Sequence, residues 1–158
     1  MHVGIYIEAF DDDLTNLWEY IIRKLSVQGS SWFVDCLDCV RETQMHNDCF
    51  YSTETLLAYL RQNPSIFFAR MISIPAGASL DRNIETYEDY RMSKCQSIVL
   101  CVDGGYFEIY SKEGALLNEL MRHPANIDIE TLEWIDENND GKVGGQAVLG
   151  RQLELPTP

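Results

Sequence analysis

Apolar and polar positions along this chain repeat with two different periods, and the changes between them mark its elements. An apolar run through Ile5 and Ile7 that stops at Glu8 predicts a strand over residues 2–9. Leu14, Leu17, Trp18, Ile21, Ile22 and Leu25 then recur at helical spacing, one apolar stripe on an amphipathic helix. Arg23 and Lys24 near its end suit the helix dipole, and Asp11-Asp12-Asp13 before it offers N-capping and negative charge in the first turn. A second strand is expected over about 31–40, followed by a polar, irregular stretch to Tyr51. Ser52-Thr53-Glu54 opens a short helix with Leu56, Leu57 and Leu60 inward, ended by Asn63-Pro64. Residues 65–74 form a third strand, and a short helical turn is expected near 84–91. Residues 97–102 are apolar on both faces, which predicts a central strand. Asp103-Gly104-Gly105 is a hairpin turn leading into a strand over 106–110. A helix over 112–122 and a short strand over 132–135 follow.

This order predicts an α+β domain with one mixed, mostly antiparallel sheet of five to six strands and three to four helices packed on it. The first strand–helix–strand reads as a right-handed parallel crossover. Residues 1–142 form the single domain, and the Gly-rich, Pro-ended residues 143–158 read as a loosely held tail. With 158 residues the chain can bury a full core without a disulfide or metal staple.

Charge changes the picture more than hydrophobicity does. Twelve Lys+Arg against 25 Asp+Glu give a net charge of −13, which repels phosphate backbones and argues against nucleic-acid partners. No apolar stretch is long enough for a membrane-spanning helix. The acids are clustered. Residues 1–22 carry Glu8, Asp11, Asp12, Asp13 and Glu19 with no Lys or Arg, and residues 126–141 carry Asp128, Glu130, Glu133, Asp136, Glu137 and Asp140, again with none. If the two stretches share a side, they create a negative field that steers basic partners. Five cysteines without a secretory leader read as reduced thiols in a cytoplasm. Cys36 and Cys39 form a CxxC in a strand-like stretch, where residues three apart point to opposite faces and cannot bridge.

Several segments together resemble a known family. They are Gly4-Ile5 with Glu8, Ile84-Glu85-Thr86-Tyr87-Glu88-Asp89, Cys95-Gln96, Val99-Leu100 with Val102-Asp103, Tyr106 with Ile109-Tyr110 and Lys112, and Asp136-Glu137-Asn138. The family is an uncharacterised one of small single-domain proteins of Gram-positive bacteria, a domain of unknown function. The resemblance is best over 84–140 and also takes in the first strand and helix, whereas residues 29–64 match loosely. After Asn138 this chain departs, inserting Asn139-Asp140-Gly141 and extending further. The resemblance supports the fold and a cytoplasmic location and transfers no catalytic residue.

Two constellations could carry chemistry. Residues 136–143 fit the first eight positions of an EF-hand-type calcium loop, with Asp136, Asn138 and Asp140 as oxygen ligands, Gly141 at the sharp turn and the Lys142 carbonyl as the fourth ligand. Position 12 is Ala147, so the bidentate carboxylate is missing and any calcium binding is expected to be weak. His46-Asn47-Asp48-Cys49 places His, Asp and Cys together in a polar loop. Phosphate-binding, dinucleotide-binding, serine-hydrolase and zinc-protease signatures are absent from the chain.

The reading that accounts for most of this is a non-enzymatic, acidic, cytoplasmic protein-binding domain without a cofactor. Its partner is another, basic protein, and its concrete form is an immunity or antitoxin protein masking a cationic toxin. Asp11, Asp12, Asp13, Asp128, Glu130 and Glu133 are the expected partner-binding residues. The alternatives are a small-molecule or weak calcium-binding module and a Cys/His hydrolase.

Overall fold

A computed structural model describes residues 2–11, 13–80, 84–122 and 127–136 of the chain. In chain order the elements are β1 (His2–Glu8), α1 (Thr15–Leu25), β2 (Ser31–Cys39), β3 (Cys49–Ser52), α2 (Thr53–Leu60), β4 (Ile66–Ile74), α3 (Tyr87–Met92), β5 (Ser97–Val102), β6 (Tyr106–Ser111), α4 (Gly114–Met121) and β7 (Thr131–Asp136). The strands form one seven-stranded sheet in the order β3-β2-β4-β5-β6-β1-β7. Each adjacent pair is antiparallel.

The α+β class and the four helices match the sequence reading, and two details are corrected. The sheet has seven strands rather than five to six, and it is antiparallel throughout the described residues rather than mixed. The added strand is β3, four residues at the sheet edge in a stretch expected to be irregular. Such a strand is too short to show a period of its own, and its pairing with Ser31–Val34 of β2 defines it. The first crossover does join strands running the same way. However, β6, β5 and β4 lie between β1 and β2, so α1 spans three intervening strands.

The pattern of directions explains the two layers. Strands β1, β5 and β2 run one way and the others run the opposite way. Helices α1, α2 and α4 each link strands of like direction across at least one intervening strand. All three helices pack on one face, where Leu17, Trp18, Ile21, Ile22 and Leu25 of α1 meet Ile5, Ile7, Val99, Phe107 and Ile109. On the far face Ile84 and Tyr90, in and just before α3, cover Ile72, Ile98, Leu100 and Tyr110. Gly4 matters there. A Cβ on it would lie 2.5 Å from the Ile109 carbonyl oxygen and 2.9 Å from the Tyr110 ring, so the bare backbone is what lets Tyr110 lie across β1.

Helix ends follow local chemistry. Ser52 caps α2 by accepting from Thr55 N, and Thr86 with Asp89 forms a capping box on α3. Helix α1 differs from expectation, because it starts at Thr15 with Leu14 at its cap and has no acid in its first turn. Asp13 instead accepts from Thr15 N at 2.9 Å from outside the helix. The acidic run therefore belongs to the loop and is exposed at Asp11 and Asp13.

The CxxC also needs correction. Strand β2 is irregular between Asp35 and Asp38, and Cys36 has a φ of 53°. Its N–H donates to Asp35 Oδ1 at 2.7 Å. A bulge of this kind shifts the alternation by one residue. Trp32 and Val34 face the helices before it, and Leu37 and Cys39 face them after it. Simple period-2 alternation thus does not hold across the motif. No disulfide joins any of the five cysteines. Burial, followed by the nearby Asp35 and Asp38 carboxylates, pushes both Cys36 and Cys39 up to about 11, which leaves them poor thiolates at neutral pH.

Candidate functional site

Strands β1, β5 and β2 end where β6, β7, β4 and β3 begin, and that end of the sheet gathers Glu8, Asp11, Asp13, Asp128 and Glu130 from the two acidic stretches. Strand β7 pairs with β1 so that Thr131 lies opposite Glu8, and Glu130 N donates to the Glu8 carbonyl at 2.9 Å. This places Asp128 and Glu130 beside the chain that continues to Asp11 and Asp13. The β5–β6 turn joins them, with Ala9 N donating to Gly105 O at 2.9 Å and Gly104 N to Phe67 O at 3.0 Å. The turn adds exposed Asp103, whose positive φ, like that of Gly104, is what an Asp-Gly turn requires. A cation is also close, because Asp13 is held below the usual carboxylate range first by its hydrogen bonds with Thr15 and then by the charge of Arg41.

Apolar groups are exposed at the same end. Phe10 is 51% exposed and Tyr106 is 38% exposed, and their rings meet edge to face with centroids 5.0 Å apart. Phe67 and Val40 are exposed there as well. Phe10 lies over the bare Cα of Gly105, where a Cβ would come within 2.4 Å of its ring. This end of the sheet therefore combines carboxylates with exposed aromatic rings.

The remaining predicted residues fall elsewhere. Glu133 sits in the middle of β7 opposite Tyr6, on the far face. Asp136 ends β7 opposite His2, at the other end of the sheet from Glu130. Asp12, Asn138, Asp140 and Lys142 lie outside the described residues, as does the expected tail from 143 onward. His46 is exposed and Cys49 half-buried, and Tyr51 Oη accepts from His46 N at 2.8 Å. Among the described residues no three His, Cys, Asp or Glu side chains converge as a metal-binding group.

Sequence reasoning missed a polar row that crosses the far face. The pairing registers align Glu133, Tyr6, Glu108, Leu100, Arg70 and Asp35 side by side across six strands. Arg70 donates to Asp35 and to the Ile84 carbonyl, and its Nε is buried without a partner. Tyr6 Oη donates to Glu8 Oε1, Thr131 Oγ1 to Glu8 Oε2 at 3.0 Å, and Tyr110 Oη to Glu108 Oε1 at 2.6 Å. One signal was available. The hairpin register sets Glu108 opposite Leu100 in a strand apolar on both faces, a position where an acid must be buried.

Glu108 is 3% exposed, and burial pushes its carboxyl up to about 7, against the opposing Tyr110 hydrogen bond. Its folded-state value therefore lies above the ordinary one, so its contribution to stability is complete below about pH 4.5 and is lost as pH rises through about 7. Glu108→Gln keeps the shape and removes this titration. Between pH 5 and pH 9 the wild type is expected to lose about 2–3 kcal/mol more unfolding free energy than the variant, because each tenfold change in proton affinity is worth about 1.4 kcal/mol. Urea denaturation of both proteins at the two pH values checks this, and parallel losses would mean that Glu108 is solvated.

Comparisons with known proteins assign no chemistry to this end of the sheet. No helix among the described residues is long and apolar enough to cross a membrane. The chain is similar to the "Uncharacterized protein YncE" of Bacillus subtilis (strain 168), with 27% identity over 73 residues. That match covers 46% of this chain and 47% of YncE, so it spans about half the length of the relative. No solved structure matches the chain. A family model described as "Protein of unknown function (DUF2691)" matches residues 2–144, a span that takes in every described strand and helix, and the chain therefore belongs to that family.

Proposed function

We propose that this protein is a non-enzymatic binding domain whose acidic end docks a basic protein. The observation that carries the reading is that Asp11 and Asp13 lie at the same end of the sheet as Asp128 and Glu130, beside exposed Phe10, Tyr106 and Phe67. The carboxylates supply long-range attraction for a cationic partner, and the rings supply apolar contact once it arrives. A net charge of −13 opposes nucleic acid at the same surface. The most concrete form is an immunity or antitoxin protein that covers a cationic toxin in the cytoplasm.

Charge reversal tests the reading. Asp11→Lys with Asp13→Lys is expected to slow association with a basic protein captured from the native cell by about tenfold at low salt, because rim charges act on association more than dissociation. The difference should shrink at high salt, where charges more than ~8 Å apart are screened. Stopped-flow or surface-binding kinetics at two salt concentrations measure both effects. A doubly reversed variant that associates as fast as wild type at low salt would leave the acidic run with a solubility role only.

A further inference from the structure

We propose that the acidic end holds a recognition site for a single arginine side chain, built from Glu8, Tyr106 and Phe10; this rests on the docking role proposed above and names the partner group it takes. Glu8 lies at the last paired position of β1, on the sheet face that α1, α2 and α4 leave open, between Tyr106 of β6 and Thr131 of β7. Its two oxygens are each held by a neutral hydroxyl, Oε1 by Tyr6 and Oε2 by Thr131. The hydroxyls orient the carboxylate without neutralising it, and a carboxylate oxygen can accept a further hydrogen bond. The ion pairs among the described residues join Arg23 and Arg61 to Glu19, Lys24 to Glu119, Arg70 to Asp35 and Arg91 to Glu88, and none uses Glu8. Glu8 is half-buried, so a cation placed there is screened less than one at Asp11 or Asp13, which are exposed.

The aromatic pair narrows the cation to a guanidinium. Tyr106 stands directly opposite Glu8 in the register, and its ring meets Phe10 at an interplanar angle of 74°. In such a pair one ring meets the other edge-on, and with Phe10 and Tyr106 both exposed, aromatic surface stays open beside Glu8. A fixed carboxylate beside exposed aromatic surface matches a planar group that forks hydrogen bonds to one and stacks on the other, as arginine does and lysine does not. Gly105 completes the site, because its missing Cβ is the space in which Phe10 lies.

The test uses two probes of equal charge, octa-arginine and octa-lysine amides, titrated calorimetrically into the full chain at low salt. Wild type is expected to bind the arginine peptide about fivefold more tightly than the lysine peptide. Glu8→Gln and, separately, Tyr106→Leu should each bring that ratio close to one, and thermal melts of both variants establish that they are folded. Asp11→Lys with Asp13→Lys should weaken both peptides alike and leave the ratio intact. Equal affinities for the two peptides in wild type, or a ratio unchanged in folded Glu8→Gln and Tyr106→Leu, would overturn the arginine site while leaving the docking role standing. Binding of neither peptide would overturn both.

Discussion

Trp18→Ala is expected to lower the unfolding free energy by about 3–5 kcal/mol, the range for truncating a large buried aromatic. Trp18 is 4% exposed on α1 and meets Phe107 of β6 edge to face, with ring centroids 5.1 Å apart. Removing the indole empties the space between the helix layer and the sheet, and the neighbouring Leu17, Ile21 and Phe107 can refill it only in part. The aromatic pair adds to the loss beyond the buried area. Urea denaturation with unchanged slope would assign the effect to native packing. A loss below ~1 kcal/mol would mean that α1 does not bury this stripe.

A comparable loss is expected at Asp35. Arg70 is 3% exposed and donates both to Asp35 and to the Ile84 carbonyl, which joins β2, β4 and the segment before α3. Asp35→Ala leaves the guanidinium buried without its counter-charge, for which the expected cost is about 3–5 kcal/mol. The double replacement Asp35→Leu with Arg70→Met removes both charges together and should recover most of that loss, because an apolar pair does not carry the desolvation cost of an ion pair. The pair of measurements separates an unpaired charge from lost packing. Equal destabilisation in the single and double variants would show that contact area rather than charge holds this position.

These positions also show how far the chain could be read without its fold. The α1 stripe was legible because five of its apolar residues are buried on one side of a single helix, which is a local property. The β5–β6 hairpin was legible for the same reason, since Asp103 and Gly104 both take the positive φ that its turn requires. Strand β3 was not, because four residues show no period and only pairing with β2 makes them a strand. The break at Cys36 was hidden similarly, because a bulge is a relation between two strands and leaves the composition of either one strand-like.

The candidate site divides along the same line. The amounts of acid in 1–22 and 126–141 are fixed by composition, and an acidic character followed from the residues alone. Where the described acids of the two stretches lie relative to one another was decided by β7 pairing with β1, a contact between segments more than 120 residues apart that sets Thr131 against Glu8. The buried row through Tyr6, Glu108 and Arg70 depended on five registers at once, and no single segment contains that information. Local propensity and charge act over a few residues and are written along the chain. Burial, pairing and pKa depend on neighbours brought in from distant segments, which is why only the tertiary structure showed what surrounds Glu8 and Glu108.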